Sequence, residues 1–314
     1  MNTLARFTSR INFFLLAILA LGAVLRLWGI DFGLPYTLAP DEPTHFTIAL
    51  RIFKTGNLNP GWLNYPSLMF YLNALALVPY FLIQHARGIW QTPADIPNPE
   101  IVTMGVGQLA APSEFLLSRG LTALFGVASI FLIYKIGCEF GKGKSVGLIA
   151  ALMLAVSPAS VYNSHLIRPD TMAVFFALVS FFFAQKILDD PRPRNYVWAG
   201  IGAGLATACK YNMPLIGAAI LAAHFLKFGR AGWRRKEIYF AIGAGALTLF
   251  AASPYILLDL PRFVHDFGFE IYAQGAGHAG FEGNTIPWYL NFLITTEGLI
   301  AIAALIQAAR IVRA

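Results

Sequence analysis

The sequence predicts an all-α, multi-pass membrane protein, a bundle of about eight transmembrane helices with further helices lying along its outer face. Three observations predict it. Of 314 residues, 57% are hydrophobic and only 12% charged, which no soluble globular composition matches. Apolar stretches of about 20 residues recur between short polar connections, the length a helix needs to cross hydrocarbon, and runs so continuous exclude barrel strands. Finally, the basic residues behind the net charge of +7 sit mostly in those short connections. Lipid headgroups and topology explain them there, and nucleic acid is not needed as a partner.

The first apolar stretch, Ile11 to Ile30, follows Arg6 and Arg10. It lacks a clean small-x-small cleavage site and is long for a signal peptide, so it reads as an uncleaved first span with a cytoplasmic N-terminus. Asp41 opens an amphipathic helix to about Lys54, with Ile48, Ala49, Ile52 and Phe53 on its apolar side and Gly56 ending it. The run 67–86, with Pro79 at its centre, is expected to lie against the outer face as a helix or broken helix; a ninth span is the alternative. Further spans are expected near 114–134, 146–163, 171–187, 196–209, 213–227, 237–258 and 287–309. Gly200, Gly202 and Gly204 suit close helix packing in the fifth. Cys138 and Cys209, both in apolar surroundings, read as small fillers and not as a disulfide or metal site.

Charge sets the orientation. The connections Lys135–Lys144, Lys186–Arg194 and Lys227–Lys236 are basic, and the tail carries Arg310 and Arg313. The positive-inside rule places them in the cytoplasm, and each span then crosses in turn if 67–86 does not cross, or if a weak companion span such as 96–112, interrupted by Pro97, Pro99 and Pro112, pairs with it. The outer face thereby collects Asp41, Glu42, His45, His165, Arg168, Asp170, Lys210, Tyr211, Asp259, Arg262, His265 and Asp266, with Arg119 one turn inside its span. Ionisable residues in such positions mark functional sites more often than not.

Each has a plainer reading beside the chemical one. Asp41 could cap its helix, with Glu42 favoured by the helix dipole and Pro43 tolerated in the first turn. Asp41 and His45 also share a helix face, and a carboxylate at the interface can take a proton from an acceptor. Pro169 and Asp170 are good helix-start residues, and Arg168 could simply snorkel. Lys210, between two short helices, suits a phosphate partner or could simply snorkel, and Arg119, inside a span, calls for an anion or a water-filled cleft. His45, His165, Asp170, Tyr211 and His265 form the supporting or substrate-binding set. No HExxH helix, Cys/His cluster or glycine-rich nucleotide loop occurs.

Taken in order, Pro40-Asp41-Glu42, Tyr65-Pro66-Ser67-Leu68, Leu117-Ser118-Arg119 with Gly126 and Tyr134, Ser157-Pro158, Ser164-His165, Arg168-Pro169-Asp170 and Thr207 to Lys210-Tyr211 form a pattern. It resembles the GT-C integral membrane glycosyltransferases, closest to family 39, the protein O-mannosyltransferase and lipid A aminoarabinose transferase group. The resemblance covers roughly 11–260 and implies a GT-C-like bundle whose donor is a polyprenyl-phosphate-linked sugar. It implies Asp41 as the base that activates the acceptor hydroxyl, with Glu42 supporting it. Arg119 and Lys210, with Arg168 as a further candidate, would hold the donor phosphate, and Asp170 would lie near the sugar or acceptor. Transfer would invert the anomeric carbon in one displacement outside the cytoplasm.

Expected partners are the lipid-linked donor, membrane lipids and a hydroxyl-bearing lipid, glycan or protein acceptor, with a companion subunit left open. No metal site is expected and no cofactor is firmly implied, a divalent cation remaining open. The expected division is a catalytic module at 1–260, including the outer loop 31–113, and a terminal loop and span at 261–314. Pro43 and Thr44 and the long 89–112 loop depart from many relatives, and the chain reads as a minimal member, a fragment or part of a split enzyme. A lipid-linked sugar transporter and a non-catalytic subunit are the competing readings. A transporter would scatter its polar residues through the membrane, whereas these gather at one face.

Overall fold

Proline opens four of the helices, where its missing N–H is no loss and its fixed φ suits the first turn. The computed structural model describes residues 13–103, 106–109, 112–141, 143–276, 285–298 and 300–302. Its helices are α1 (Phe13–Leu27), α2 (Asp41–Thr55), α3 (Leu68–Ala86), α4 (Pro112–Phe140), α5 (Lys144–Val156), α6 (Pro158–Ser164), α7 (Pro169–Asp189), α8 (Pro193–Cys209), α9 (Gly217–Phe228), α10 (Glu237–Ala252), α11 (Tyr255–Leu258), α12 (Leu260–Ala276) and α13 (Thr285–Glu297). Arg6, Arg10, Arg310, Arg313 and residues 299 and 303–309 of the expected last span lie outside the described residues.

The chain is an all-α integral membrane protein. Among the described residues, four helical stretches have the length and apolarity to cross a bilayer: Leu68–Ala86, Pro112–Phe140, Pro169–Asp189 and Met213–Arg234. The α5–α6 pair makes a fifth if its two bent halves are one span, and α1 and α10 are shorter apolar helices. Their outward faces carry exposed Leu124, Phe131, Ile149, Leu226 and Leu247, which suits a lipid solvent.

Two expected spans are broken by proline. The 146–163 stretch bends by 59° between α5 and α6, at Ser157-Pro158. The 237–258 stretch stops at Ala252, and Pro254 separates it from the single turn α11. In both, proline withdraws an N–H and pushes the preceding residue out of helical conformation. The long loop carries a small antiparallel hairpin, β1 (Glu100–Thr103) with β2 (Val106–Gln108), beside the otherwise all-α fold.

Within the bundle α1 packs on α4 and α5, α4 on α5 and α7, α7 on α8 and α9, and α8 on α10. Glycine makes the α8 contacts possible: a Cβ on Gly200 would collide with the Ala241 carbonyl, one on Gly204 with the Gly245 carbonyl, and one on Gly202 with the Ser180 backbone. The three glycines singled out in the sequence therefore mark backbone-to-backbone contact on two sides of α8.

Although α3 is long enough to cross a membrane, its contacts run across one end of the bundle. It lies beside α2, with Phe70 near His45 and Phe81 near Phe53. Phe70 and Met69 join Met172 and Ala173 at the start of α7 and Cys209 at the end of α8 in one buried cluster. Further along α3, Leu77 joins Phe46, Leu50 and Phe115 at the start of α4, and the Tyr80 hydroxyl is 2.6 Å from that of Ser113. Helix ends on one side of the bundle thus meet both halves of α3. Trp90, Ile96 and Leu109 fold the long loop onto the same cluster.

Replacing Gly204 with Val should wedge α8 from α10 and lower stability by about 1–3 kcal/mol, the usual cost of overpacking. Thermal unfolding in detergent measures it, and an unchanged midpoint would contradict the close backbone approach.

Candidate functional site

The first turn of α2 organises the polar end of the bundle. Pro40 precedes the helix and no side chain caps it, so Asp41 is the first helical residue and not a cap. That disposes of the capping alternative for Asp41. Gly56, at φ +67°, ends the helix as the sequence implied.

Glu42 and Arg119 are both fully buried and meet as a two-pronged pair, with Arg119 Nε 3.0 Å from Oε1 and Nη2 2.8 Å from Oε2. Arg119 Nη1 also donates to the carbonyls of Ile30 (2.7 Å) and Phe32 (3.0 Å), and the guanidinium lies 4.4 Å from the Phe32 ring centroid. Four of its five N–H groups are committed to protein. This departs from the expectation that Arg119 grips a donor phosphate: its charge is turned toward Glu42 and shielded by Phe32 and Phe115.

Glu42 Oε1 also accepts the backbone N–H of Ile167 at 2.8 Å, and His45 Nδ1 donates to the Ile167 carbonyl at 2.8 Å. One turn of α2 therefore holds both backbone polar groups of Ile167. The next residue, Arg168, reaches Asp41 at 3.2 Å, and two residues later Asp170 is 2.6 Å from Lys210 Nζ. These outer pairs are only partly buried, with Asp41 50%, Arg168 27%, Asp170 37% and Lys210 30% exposed. Exposed ion pairs contribute roughly 0–1 kcal/mol, whereas breaking a buried pair costs about 3–5 kcal/mol. The outer pairs are therefore cheap to break and the inner pair is costly. Arg168 keeps a buried Nε without a hydrogen-bond partner, a donor still available.

Around this cluster, His45 is packed among Trp62, Tyr65 and Phe70. Burial, against the smaller upward pull of the Ile167 carbonyl and Asp41, holds its imidazole below the usual histidine range. Burial, reinforced by Asp41, Asp170 and Glu270, pushes the Tyr65 phenol up to about 12, so it stays protonated. His165 sits behind the cluster with its ring against Phe32, and burial together with Arg119 and Arg26 lowers its pKa. Tyr211 supports the neighbouring loop, donating to the Leu63 carbonyl at 2.9 Å and packing on Phe263 and Phe267. His265 is largely exposed and bonds to Asp266, outside the Asp41 group.

Sequence reasoning missed three contributors. Asn64 bonds Glu270 at 2.8 Å, and with Trp62 it belongs to a loop whose composition gave no signal. Arg26, buried in α1, was detectable as a lone cation within an apolar stretch. One cavity of about 270 Å³ between α4, α6 and α7 reaches Asp170, and an apolar one of about 460 Å³ between α8, α9 and α10 reaches Thr207, three residues before Lys210 in the chain.

Arg119, Arg168, Asp170 and Lys210 all fall within residues 113–257, which match the family model described as dolichyl-phosphate-mannose-protein mannosyltransferase. That segment is similar to glycosyltransferases. The chain is also 32% identical over 110 residues to a lipopolysaccharide core galacturonosyltransferase, RgtB, of Rhizobium johnstonii. That match covers 33% of this chain and 22% of the relative. The family match begins after the Asp41-Glu42 pair, so the structure alone ties that pair to the matched segment, through Arg119, Ile167 and Arg168.

Two outcomes test this geometry. Arg119→Leu leaves Glu42 buried and unpaired and should cost about 3–5 kcal/mol, while adding Glu42→Gln should recover part of it; strictly additive losses would contradict a coupled pair. Folded His45 resists protonation, so an unfolded chain binds more protons as pH falls below the ordinary histidine value of 6.5. Stability should therefore drop between about pH 7.5 and 5.5, less steeply in His45→Gln, as thermal unfolding at the two pH values would show.

Proposed function

We propose that the chain transfers a sugar from a polyprenyl-phosphate-linked donor to a hydroxyl acceptor on the non-cytoplasmic side of the membrane. The observation that carries this reading is the juxtaposition of a half-exposed Asp41 with Arg168, beside Asp170 and Lys210, at one end of the bundle. Asp41 takes the proton of the attacking hydroxyl as that oxygen bonds to the anomeric carbon. The bond from that carbon to the phosphate oxygen breaks, and its electron pair leaves with the lipid phosphate. Arg168 and Lys210 stabilise the negative charge that accumulates there. A single displacement of this kind inverts the anomeric carbon and needs no protein nucleophile.

In this reading Glu42 and Arg119 carry no chemistry of their own and hold the turn that presents Asp41. The resting pairs Asp41–Arg168 and Asp170–Lys210 give way to acceptor and donor, which their partial exposure permits. The apolar cavity beside Thr207 suits a lipid chain whose phosphate sits at Lys210. The matched family and the galacturonosyltransferase are both named for sugar transfer, which supports the reaction class.

Purified protein supplied with a panel of polyprenyl-phosphate sugars and hydroxyl acceptors tests the proposal. Asp41→Asn should lower turnover by about 10²–10⁴-fold, the usual contribution of a general base, with donor binding nearly intact. Lys210→Ala should chiefly raise the donor KM. Undiminished turnover in Asp41→Asn would remove it as the base, and an unaltered donor KM in Lys210→Ala would remove the lysine from the phosphate site.

A further inference from the structure

Arg26 is fully buried near the end of α1, and its described partners are all carbonyl and hydroxyl oxygens. Nη2 donates to Leu154 O (3.0 Å) and Ser160 Oγ (2.8 Å), and Nη1 to Ala155 O (3.0 Å) and Gly22 O (3.1 Å). Leu154 and Ala155 form the last turn of α5, and both of their carbonyls are orphans for identifiable reasons. The N–H that would serve Leu154 belongs to residue 158, which is proline. The N–H that would serve Ala155 belongs to Ala159, which donates instead to Glu297 at 3.2 Å. Unsatisfied carbonyls are costly in an apolar layer, and a cation at a helix C-terminus also meets the negative end of its dipole.

We propose that Arg26 is a positioning residue: it caps α5, holds the bend into α6, and thereby sets where Arg168 meets Asp41. The path is short. Ser160, gripped by Arg26, lies in the first turn of α6, and its carbonyl accepts Ser164 Oγ at 2.7 Å at the far end of that helix. Gly126 of α4 leaves room for the arrangement, since a Cβ there would lie 2.8 Å from Arg26 Nε and collide with Ser164 Oγ. Residues 165–168 follow directly, with Ile167 and Arg168 locked onto the first turn of α2. Two independent anchors, Arg26 below and Glu42 with His45 above, thus bracket the segment carrying Arg168. The consequence for donor binding rests on the transfer reading above; the positional role does not.

Hydrogen exchange and kinetics on the full chain separate the two. Arg26→Met should speed exchange of amides 165–168 by about tenfold, as loss of charged hydrogen bonds implies, with amides 196–209 of α8 unchanged. It should raise the donor KM with little change in kcat, and Arg26→Lys should restore both substantially. Unchanged exchange at 165–168, or an equal rise throughout the chain, would overturn the proposal. If Arg26→Met does not fold, Ser160→Ala, which removes one of the four bonds, should give a smaller rise at the same amides; no rise would overturn it. Absence of transfer by the wild-type chain would count against the transfer reading, while the exchange result still decides the role of Arg26.

Discussion

The buried pair between Glu42 and Arg119 is the contact on which the polar end of this molecule depends. A charged pair removed from water gains little net stability over an apolar replacement, yet losing one partner is severe. What the pair gives here is position. Glu42 spends its two oxygens on Arg119 and on the Ile167 N–H, while Arg119 spends two further donors on the chain at Ile30 and Phe32. Four separate stretches of sequence, the end of the first span, the start of α2, α4 and the α6–α7 turn, are joined at one point.

Around that fixed point the structure grades from rigid to exchangeable. Inside are full burial and a two-pronged ion pair; the chain neighbours of Glu42 and Ile167, Asp41 and Arg168, are partly open and weakly paired. The carboxylates of α12 and the residue before it add a cover. Asp259, Asp266 and Glu270 take hydrogen bonds from Asn59, the Leu63 N–H and Asn64, so this helix holds the loop that brings Trp62 and Tyr65 beside His45. Its opposite side leaves Leu260, Val264, Ile271 and Tyr272 exposed, as an amphipathic helix at a lipid surface would.

The membrane class, most helix positions and the gathering of ionisable side chains at one end were legible because hydropathy and charge asymmetry are strong, additive signals. The glycines of α8 were legible for the same reason, since three small residues on a short helix have few other uses. Partner choice was not. Arg119 and Arg168 look alike in sequence, yet one is sealed against Glu42 and the other is partly exposed in a single ion pair, a distinction that arises from which helix ends meet. Pro158 and Pro254 were visible, but an apolar run on either side concealed that they divide their helices. Arg26 stood out only as a lone cation in an apolar run, which hydropathy averaging barely registers. The paired strands in the 89–112 loop carried no alternating pattern long enough to read.

The central claim is that the Glu42–Arg119 pair serves by presenting Asp41 and Arg168 and takes no direct part in the chemistry. Glu42→Gln tests it most directly, because glutamine keeps the size and can still accept the Ile167 N–H while removing the charge opposite Arg119. Transfer should be measured for this variant in folded protein, with polyprenyl-phosphate sugar saturating. The account predicts a fall in turnover of at least about tenfold, since small misplacements of a catalytic group are costly. Turnover equal to wild type, in protein that folds normally, would contradict it.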